Sequence, residues 1–297
     1  MTTTLDLPFQ IGEPQSSGGI TITPLFPRHD PVCAYVSLDE ALLKGLEISE
    51  VDEAGDVGEL AVRNPLDLGV LLYDGEELVG AKQNRILNVS VLLGAGSTNR
   101  IPVSCVERGR WSWRGRMFQS AGHVAGPELR RRKAASLRTD ALVRGVAQGE
   151  VWASVDEQLA MRLVASPTAA NSDGFAAREP EIRDLSQRFT LEPGQNGVLV
   201  SIAGQGWCLD AVSRPAVFER IYPKLLAGYV YDAVDPSGEV TPAEVVIERL
   251  SRSKTRRATS VALGDDIRFE GKGVIGSGLA IDGELVQLSA YGDGSSQ

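Results

Sequence analysis

Two short runs of the chain bring chemically capable side chains together. Residues 82–85 read Lys82-Gln83-Asn84-Arg85, four polar residues inside an otherwise strand-like stretch. On a strand, Lys82 and Asn84 share one face and Gln83 and Arg85 the other. A pair that faces a pocket offers donors to an anion, and Arg85 can do so bidentately where Lys82 cannot. The same run also fits a solvated edge strand. Residues 101–111 (IPVSCVERGRW) end an apolar strand in Ser104, Cys105 and Glu107. Cys105 is either a small buried hydrophobe or a nucleophile, and as a nucleophile it needs His123 or Arg110 nearby. Glu107 suits a general base or a metal ligand, against a structural salt bridge to Arg110 or Arg85.

Beyond Glu107, cations and aromatics alternate through Arg110, Trp111, Trp113, Arg114, Arg116 and Phe118. Such interleaving can stack a base while neutralising phosphate. A strand with Trp packed inside and Arg snorkelling outward gives the same pattern. In the following Leu129-Arg130-Arg131-Arg132-Lys133, Arg130 and Lys133 share a helical face and repel unless an anion or carboxylate sits between them. The catalytic candidates are therefore Glu107 and Cys105. The ligand-binding candidates are Lys82, Gln83, Asn84, Arg85, Ser104, Arg110, Trp111, Arg130 and Lys133. No metal ligands are assigned, and the cofactor is unknown.

The net charge of −9 argues against a protein built to coat nucleic acid, yet ten Lys or Arg face only Glu128 and Asp140 between Arg108 and Arg144. A basic island in an acidic chain points to a focused anion site. Two histidines exclude multi-histidine zinc sites, and no Walker-type phosphate loop or G-x-S-x-G elbow is present. Gly271, Gly273 and Gly276 match G-x-G-x-x-G, but strand residues follow where a helix would be needed. There is no run of ~18 apolar residues and no secretory start, and the three cysteines form no C-x-x-C pair. The expectation is a reducing, cytoplasmic setting.

The elements that must hold these residues read as α+β, with a β-rich N-terminal part, a helical middle, and a mixed C-terminal part that closes on a β-hairpin. Strands are expected over 20–26, 32–36, 68–73, 77–81, 86–93 and 100–106, with a short helix over 39–46. Asp74-Gly75 is a strong two-residue hairpin signal. Helices are expected from Pro127 to about Val146, over 151–163 and over 176–189, with Ser166 to Asp173 as a loop or lid between the last two. A hairpin turns at Gly204-Gln205-Gly206. A helix that Pro223 is expected to kink or split follows, then a capping box at Thr241-Pro242-Ala243-Glu244, and Asp282-Gly283 turns the last hairpin. The chain is one domain of 297 residues, with a β-rich lobe over 20–120, an α+β lobe over 121–291 and a disordered tail from 292. Gly69–Ala81 echoes Gly278–Ala290, which two similar amphipathic hairpins explain without duplication.

The elements GAKQNR (80–85), IPVSCVE-x-GRW (101–111), LR-x-x-K (129–133) and QGEVW (148–152) resemble the ARG and Rhodanese-Phosphatase-superfamily-associated protein domain. Here ARG stands for ADP-ribosylglycohydrolase. Tyr222-Pro223-Lys224-Leu225-Leu226, Tyr229 and Asp232-Ala233 extend the resemblance over most of the chain. It implies a bacterial or archaeal domain associated with ADP-ribose hydrolysis and phosphatase-like enzymes, and it assigns no roles to the motif positions. Gln287 stands where the family's closing strand often carries His, so the resemblance makes no histidine essential there.

Two main readings stay open. One is a binding or accessory domain for an anionic, nucleotide-like molecule of the ADP-ribose class. The other is a hydrolase or transferase on a phosphate- or ribose-containing substrate, with Glu107 as general base. A protein-interaction module is the third. A small anionic ligand is the expected partner, with nucleic acid and membrane disfavoured, a protein partner open and the oligomeric state unknown.

Overall fold

A computed structural model describes residues 7–136 and 146–292. The fold is α+β, as the residue pattern requires, and divides into two compact units. One comprises residues 34–180 with 261–263, and the other the remainder.

The 34–180 unit is built on a closed six-stranded barrel. Around it run the strands Thr98–Cys105, Glu59–Arg63, Glu47–Glu50, Arg114–Val124, Glu76–Ala81 and Arg85–Leu87, and the last pairs back to the first. Alternation sends Ile48, Leu60, Val62, Leu78, Leu87, Ile101, Val103 and Phe118 into one buried cluster, the barrel core. A three-stranded sheet of Val91–Leu93, Gly69–Leu72 and Tyr35–Ser37 packs into the same cluster through Val36, Val70, Leu72, Val91 and Leu93. The helix Leu38–Leu43 starts at a capping box between Ser37 and Glu40. The helices Pro127–Ser136 and Val146–Met161 cover a second apolar layer that includes Ile86, Val106, Leu129, Val151 and Val155. Residues 137–145, where the expected long helix continues, lie outside the described residues.

The other unit is a nine-stranded antiparallel sheet. Its path runs Phe9–Ile11, Ile20–Pro27, Gly197–Ile202, Gly206–Val212, Glu284–Gly292, Val274–Ile281, Asp265–Gly271 and Lys254–Thr259, with Gln15–Ser17 paired to Ile20–Pro27. The hairpins at Gly204 and at Asp282-Gly283 form as expected. The helix Pro215–Asp232 passes through Pro223 unbroken. Among the described residues, no helix is long and apolar enough to cross a membrane.

Four local expectations are corrected. The Asp74-Gly75 turn does not close a hairpin: Gly69–Leu72 pairs with Val91–Leu93 and Tyr35–Ser37, while Glu76–Ala81 pairs with Arg85–Leu87 and Arg114–Val124. The turn hands the chain from one sheet to another, so its echo at Gly278–Ala290, a true hairpin, is not structural. At residue 242, Pro occupies the N-cap of the helix Ala243–Ser251 without a side-chain cap, because a proline in that place has no hydroxyl to donate or accept. A lobe break near residue 120 would cut the strand Arg114–Val124; the units divide near 33 and 180 because Ile20–Pro27 pairs with Gly197–Ile202. Gly292 ends the last strand, and residues 293–297 lie outside the described ones.

The sheet-to-sheet turn is held by charge. Lys133 Nζ, fully buried, donates to Asp74 Oδ1 and to the Leu87 carbonyl at 2.6 Å. Gly75, at φ +82°, donates to the Leu87 carbonyl and accepts from Ala125 N. A Cβ there would meet Arg130 Cδ at 2.5 Å. Lys133→Met leaves the Asp74 carboxylate buried without its cation, and should cost about 3–5 kcal/mol in urea unfolding. Adding Asp74→Asn should recover most of that loss. Equal losses in the single and double variants would show that the pair is not what holds the turn.

Candidate functional site

The expected strand across 82–85 is interrupted. Gly80 has φ +131° and Ala81 φ +35°, which turns the chain out of the barrel wall before Arg85 re-enters it. At Gly80 a Cβ would stand 2.7 Å from the Met117 carbonyl, so only glycine lets the strand Arg114–Val124 approach. Lys82, Gln83, Asn84 and Arg85 are all buried, which removes the solvated-edge reading.

Arg110 fastens this turn. Its Nη1 donates to the Ala81 and Ser112 carbonyls, both at 2.7 Å, and its Nη2 to the Gly80 carbonyl and Asn84 Oδ1, both at 3.1 Å. Its Nε donates to Glu107 Oε2 at 2.8 Å. Glu107 is buried and also accepts from Asn84 N at 3.1 Å and from Thr168 Oγ1 at 3.0 Å. Burial pushes the Glu107 carboxyl up, but Arg110, the Asn84 N–H and Thr168 together outweigh it and hold it below the usual carboxylate range. Of the three roles open for Glu107, its contacts are those of the structural pair with Arg110.

The segment expected as a loop or lid docks on this hub. Gly109 donates to the Thr168 carbonyl, Asn171 N to the Val106 carbonyl, and Asn84 Nδ2 to Ser172 Oγ. Asn171 then opens the helix Asn171–Ala177, and its Nδ2 reaches Glu77 Oε2 at 2.7 Å. The same oxygen lies 2.8 Å from His123 Nε2, and the His123 ring stacks on Phe175 at 3.7 Å. His123 thus serves Glu77, and Arg110 serves Glu107. Cys105 is buried; its Sγ accepts from Glu107 N at 3.4 Å, and its backbone is clipped at both ends by the Gln148 amide.

Arg85 is different. It is fully buried, and Nη1 donates to Gln83 Oε1 at 2.9 Å, but Nε and Nη2 have no hydrogen-bond partner. Burial, the largest influence, pulls its guanidinium below the ordinary range, with Cys105 and Glu50 opposing. Beside it stands a ladder of alternating cations and rings. Arg85 Cζ lies 5.6 Å from the Trp111 centroid, Lys82 Nζ 5.2 Å from Trp111 and 5.1 Å from Trp113, and Arg116 Cζ 5.4 Å from Trp113. Trp111 and Trp113 are 47% and 44% exposed, so the alternative with Trp packed inside does not occur. Lys82 Nζ donates to the Glu53 and Ala54 carbonyls. Arg116 also lines an open cleft of about 550 Å³, together with Gly80, Asn84, Arg114, Gln119 and Ser172.

The structure therefore brings together Lys82, Gln83, Asn84, Arg85, Cys105, Glu107, Arg110 and Trp111. It takes Ser104 to Asn88, where the hydroxyl donates at 2.7 Å, and takes Lys133 to Asp74 and Arg130 to the Ala125 carbonyl. The carboxylate that Lys133 needed is thus one from the chain itself. Much of the basic island is spent in the same way, with Arg108 on Asp156 and both Arg131 and Arg132 on Glu128. Glu50, Glu77, Thr168 and Ser172 went unmarked because nothing in their local sequence distinguishes them. Arg114 and Arg116 did carry a signal, the alternation with Trp. Among the described residues, no three His, Cys, Asp or Glu side chains converge as a metal site.

A depressed Glu107 pKa stabilises the fold above its unfolded value of ~4.3, and that contribution is lost as pH falls through the folded value. Glu107→Gln leaves the Arg110 charge without its carboxylate, so at pH 7 it should destabilise by about 3 kcal/mol or more. The gap to the wild type should narrow below pH ~4 in denaturant titrations; a gap that stays constant with pH would remove the charge pair as its cause.

A model of the ARG and Rhodanese-Phosphatase-superfamily-associated Protein domain matches residues 8–291. No curated protein and no solved structure matches the chain. The match takes in the Arg110–Glu107 hub, the Arg85 turn and the tryptophan ladder, along with most of both units, and the chain belongs to that family.

Proposed function

We propose that the protein binds an anionic, nucleotide-like small molecule of the ADP-ribose class in the cleft beside Trp113. The observation that carries this reading is that Arg116, which lines the cleft, lies over the half-exposed Trp113, whose ring also takes Lys82. Arg116 belongs to both, lying over Trp113 and lining the cleft, and Arg114 stands next to it. Exposed aromatic faces stack a base or hold a ribose, and the two arginines neutralise phosphate. Asn84, Gln119 and Ser172 supply polar groups that can fix orientation.

The family description, with its association to ADP-ribosylglycohydrolase and phosphatase-like proteins, supports a ligand of this class. A binding role is favoured over catalysis because Glu107, the general base a hydrolase would need, spends both carboxylate oxygens on Arg110, Asn84 and Thr168. Cys33, Cys105 and Cys208, none of them in a disulfide, suit a reducing bacterial cytoplasm.

ADP-ribose at about 100 times its Kd should stabilise the protein by ~2.7 kcal/mol, read as a rise of several degrees in melting temperature. Arg114→Gln with Arg116→Gln should abolish most of the rise with little change in the melting temperature of the free protein, since both side chains are mostly exposed. Indifference of the wild type to ADP-ribose, nucleotides and sugar phosphates would overturn the reading.

A further inference from the structure

The orphaned edge of Arg85 lies at one end of the barrel interior. Arg85 is two residues from Leu87 on one strand, Cys105 two from Val103 on the next, and Glu50 two from Ile48 on a third. Leu87, Val103 and Ile48 all belong to the barrel core, so the period of two points Arg85, Cys105 and Glu50 inward with them. Register agrees, since Arg85 sits opposite Cys105 and Glu50 opposite the core residue Leu60. The apolar filling of the barrel therefore gives way at this mouth to one guanidinium, one carboxylate and one thiol. Barrel mouths are where small ligands are commonly held.

Both charged groups are incompletely used. The unpartnered Nε and Nη2 of Arg85 form one edge of the guanidinium. Arg63 and Arg131 use that same edge to grip both oxygens of Glu47 and Glu128. Glu50, also buried, accepts from Lys82 N at 3.2 Å through Oε1, while its Oε2 has no partner. Leaving a buried fork and a buried carboxylate oxygen unmet costs free energy that a bound group would return. Trp111 covers the place. Its ring lies over Arg85, and at Gly55 its Cζ2, the Lys82 Cδ and Glu50 Oε2 come within 3.2–3.3 Å of one Cβ position.

We infer that the barrel mouth is a binding subsite for a phosphate group that keeps a hydroxyl, either free hydrogen phosphate or the end of a phosphomonoester. Arg85 Nε and Nη2 take two of its oxygens, and Glu50 Oε2 accepts the P–OH. Trp111 is the cover that swings aside to admit it. The two protein charges dictate this choice of ligand. A fork of donors selects an oxyanion, and a carboxylate beside it rejects any oxyanion that brings no proton. Sulfate, of the same size and shape, carries no hydroxyl near neutral pH and is excluded by Glu50. The subsite goes beyond the reading of the neighbouring cleft and does not rest on it, because ADP-ribose carries its phosphates as internal diesters and brings no P–OH to Glu50.

The test is calorimetric titration and thermal shift of the full chain with inorganic phosphate, ribose 5-phosphate, sulfate and ADP-ribose at matched ionic strength. Phosphate or ribose 5-phosphate should bind while sulfate does not, with a change in tryptophan fluorescence, and the tighter of the two names the source. Arg85→Lys keeps the charge but loses the fork, so it should weaken phosphate at least about tenfold. Glu50→Gln should admit sulfate, a gain that no loss of folding can imitate, and it tests the subsite should Arg85→Lys fail to fold. Equal effects of phosphate and sulfate on the wild type, no effect of either phosphate ligand, or undiminished phosphate binding by Arg85→Lys would each overturn the inference. If ADP-ribose binds but phosphate and ribose 5-phosphate do not, the cleft reading survives and the subsite falls. If phosphate binds through Arg85 and ADP-ribose is ignored, the subsite survives and the cleft reading falls.

Discussion

The site depends on taking the Arg110 guanidinium out of water. A buried guanidinium is tolerated only when its donors are met, and here they meet three backbone carbonyls, one amide oxygen and one carboxylate. Meeting them bends the chain. The Gly80 and Ala81 carbonyls can point at Arg110 only because the strand breaks there into positive φ. That break carries Lys82 across to the Trp111 and Trp113 rings. Glu107, the counter-charge, in turn recruits Asn84 and Thr168, so the 82–84 turn, the 107–110 turn and the 166–172 segment share one anchor. One satisfied cation makes the geometry in which a neighbouring cation, Arg85, stays unsatisfied.

The contrast between these two arginines explains why charge alone misleads. Ten basic residues between 108 and 144 look like one anion-binding surface. In the folded chain they separate into three populations. Arg110, Arg130 and Lys133 are internal struts, Arg108, Arg131 and Arg132 are paired with carboxylates, and Arg114 and Arg116 face the cleft. Arg138 and Arg144 lie outside the described residues. Two of the struts find partners tens of residues away, Asp74 for Lys133 and Gly80, Ala81 and Asn84 for Arg110. No local pattern announces those partners.

What was legible follows the same division between local and distant physics. Period-two alternation located most strands, and the Gly204 and Asp282-Gly283 hairpins form because each turn joins strands that do pair. Asp74-Gly75 has equally good turn chemistry, yet its flanks find better partners elsewhere, since turn residues specify a bend and not what the strands beyond it will touch. The run 82–85 stood out by its residue types, but not as a turn, because the left-handed backbone at Ala81 leaves no mark in residue type. Arg85, Lys82 and Trp111 were found through charge and aromatic interleaving. Glu50 was not, being an ordinary acidic residue at a strand end whose importance comes only from the barrel closing around it.

The pairing of Ile20–Pro27 with Gly197–Ile202 also bears on the order in which the nascent chain can fold. The barrel closes through strands that end at Val124, so it can form while synthesis is still under way. The large sheet cannot, because its early strands stay without their main partner until residue 197 has left the ribosome. During that interval the Ile20–Pro27 strand presents open backbone donors and acceptors beside buried-type side chains such as Ile20, Ile22 and Leu25, the condition under which strands pair with the wrong chain. The protein thus exposes its first-made edge longest, and in the cell that edge is where a chaperone would be needed.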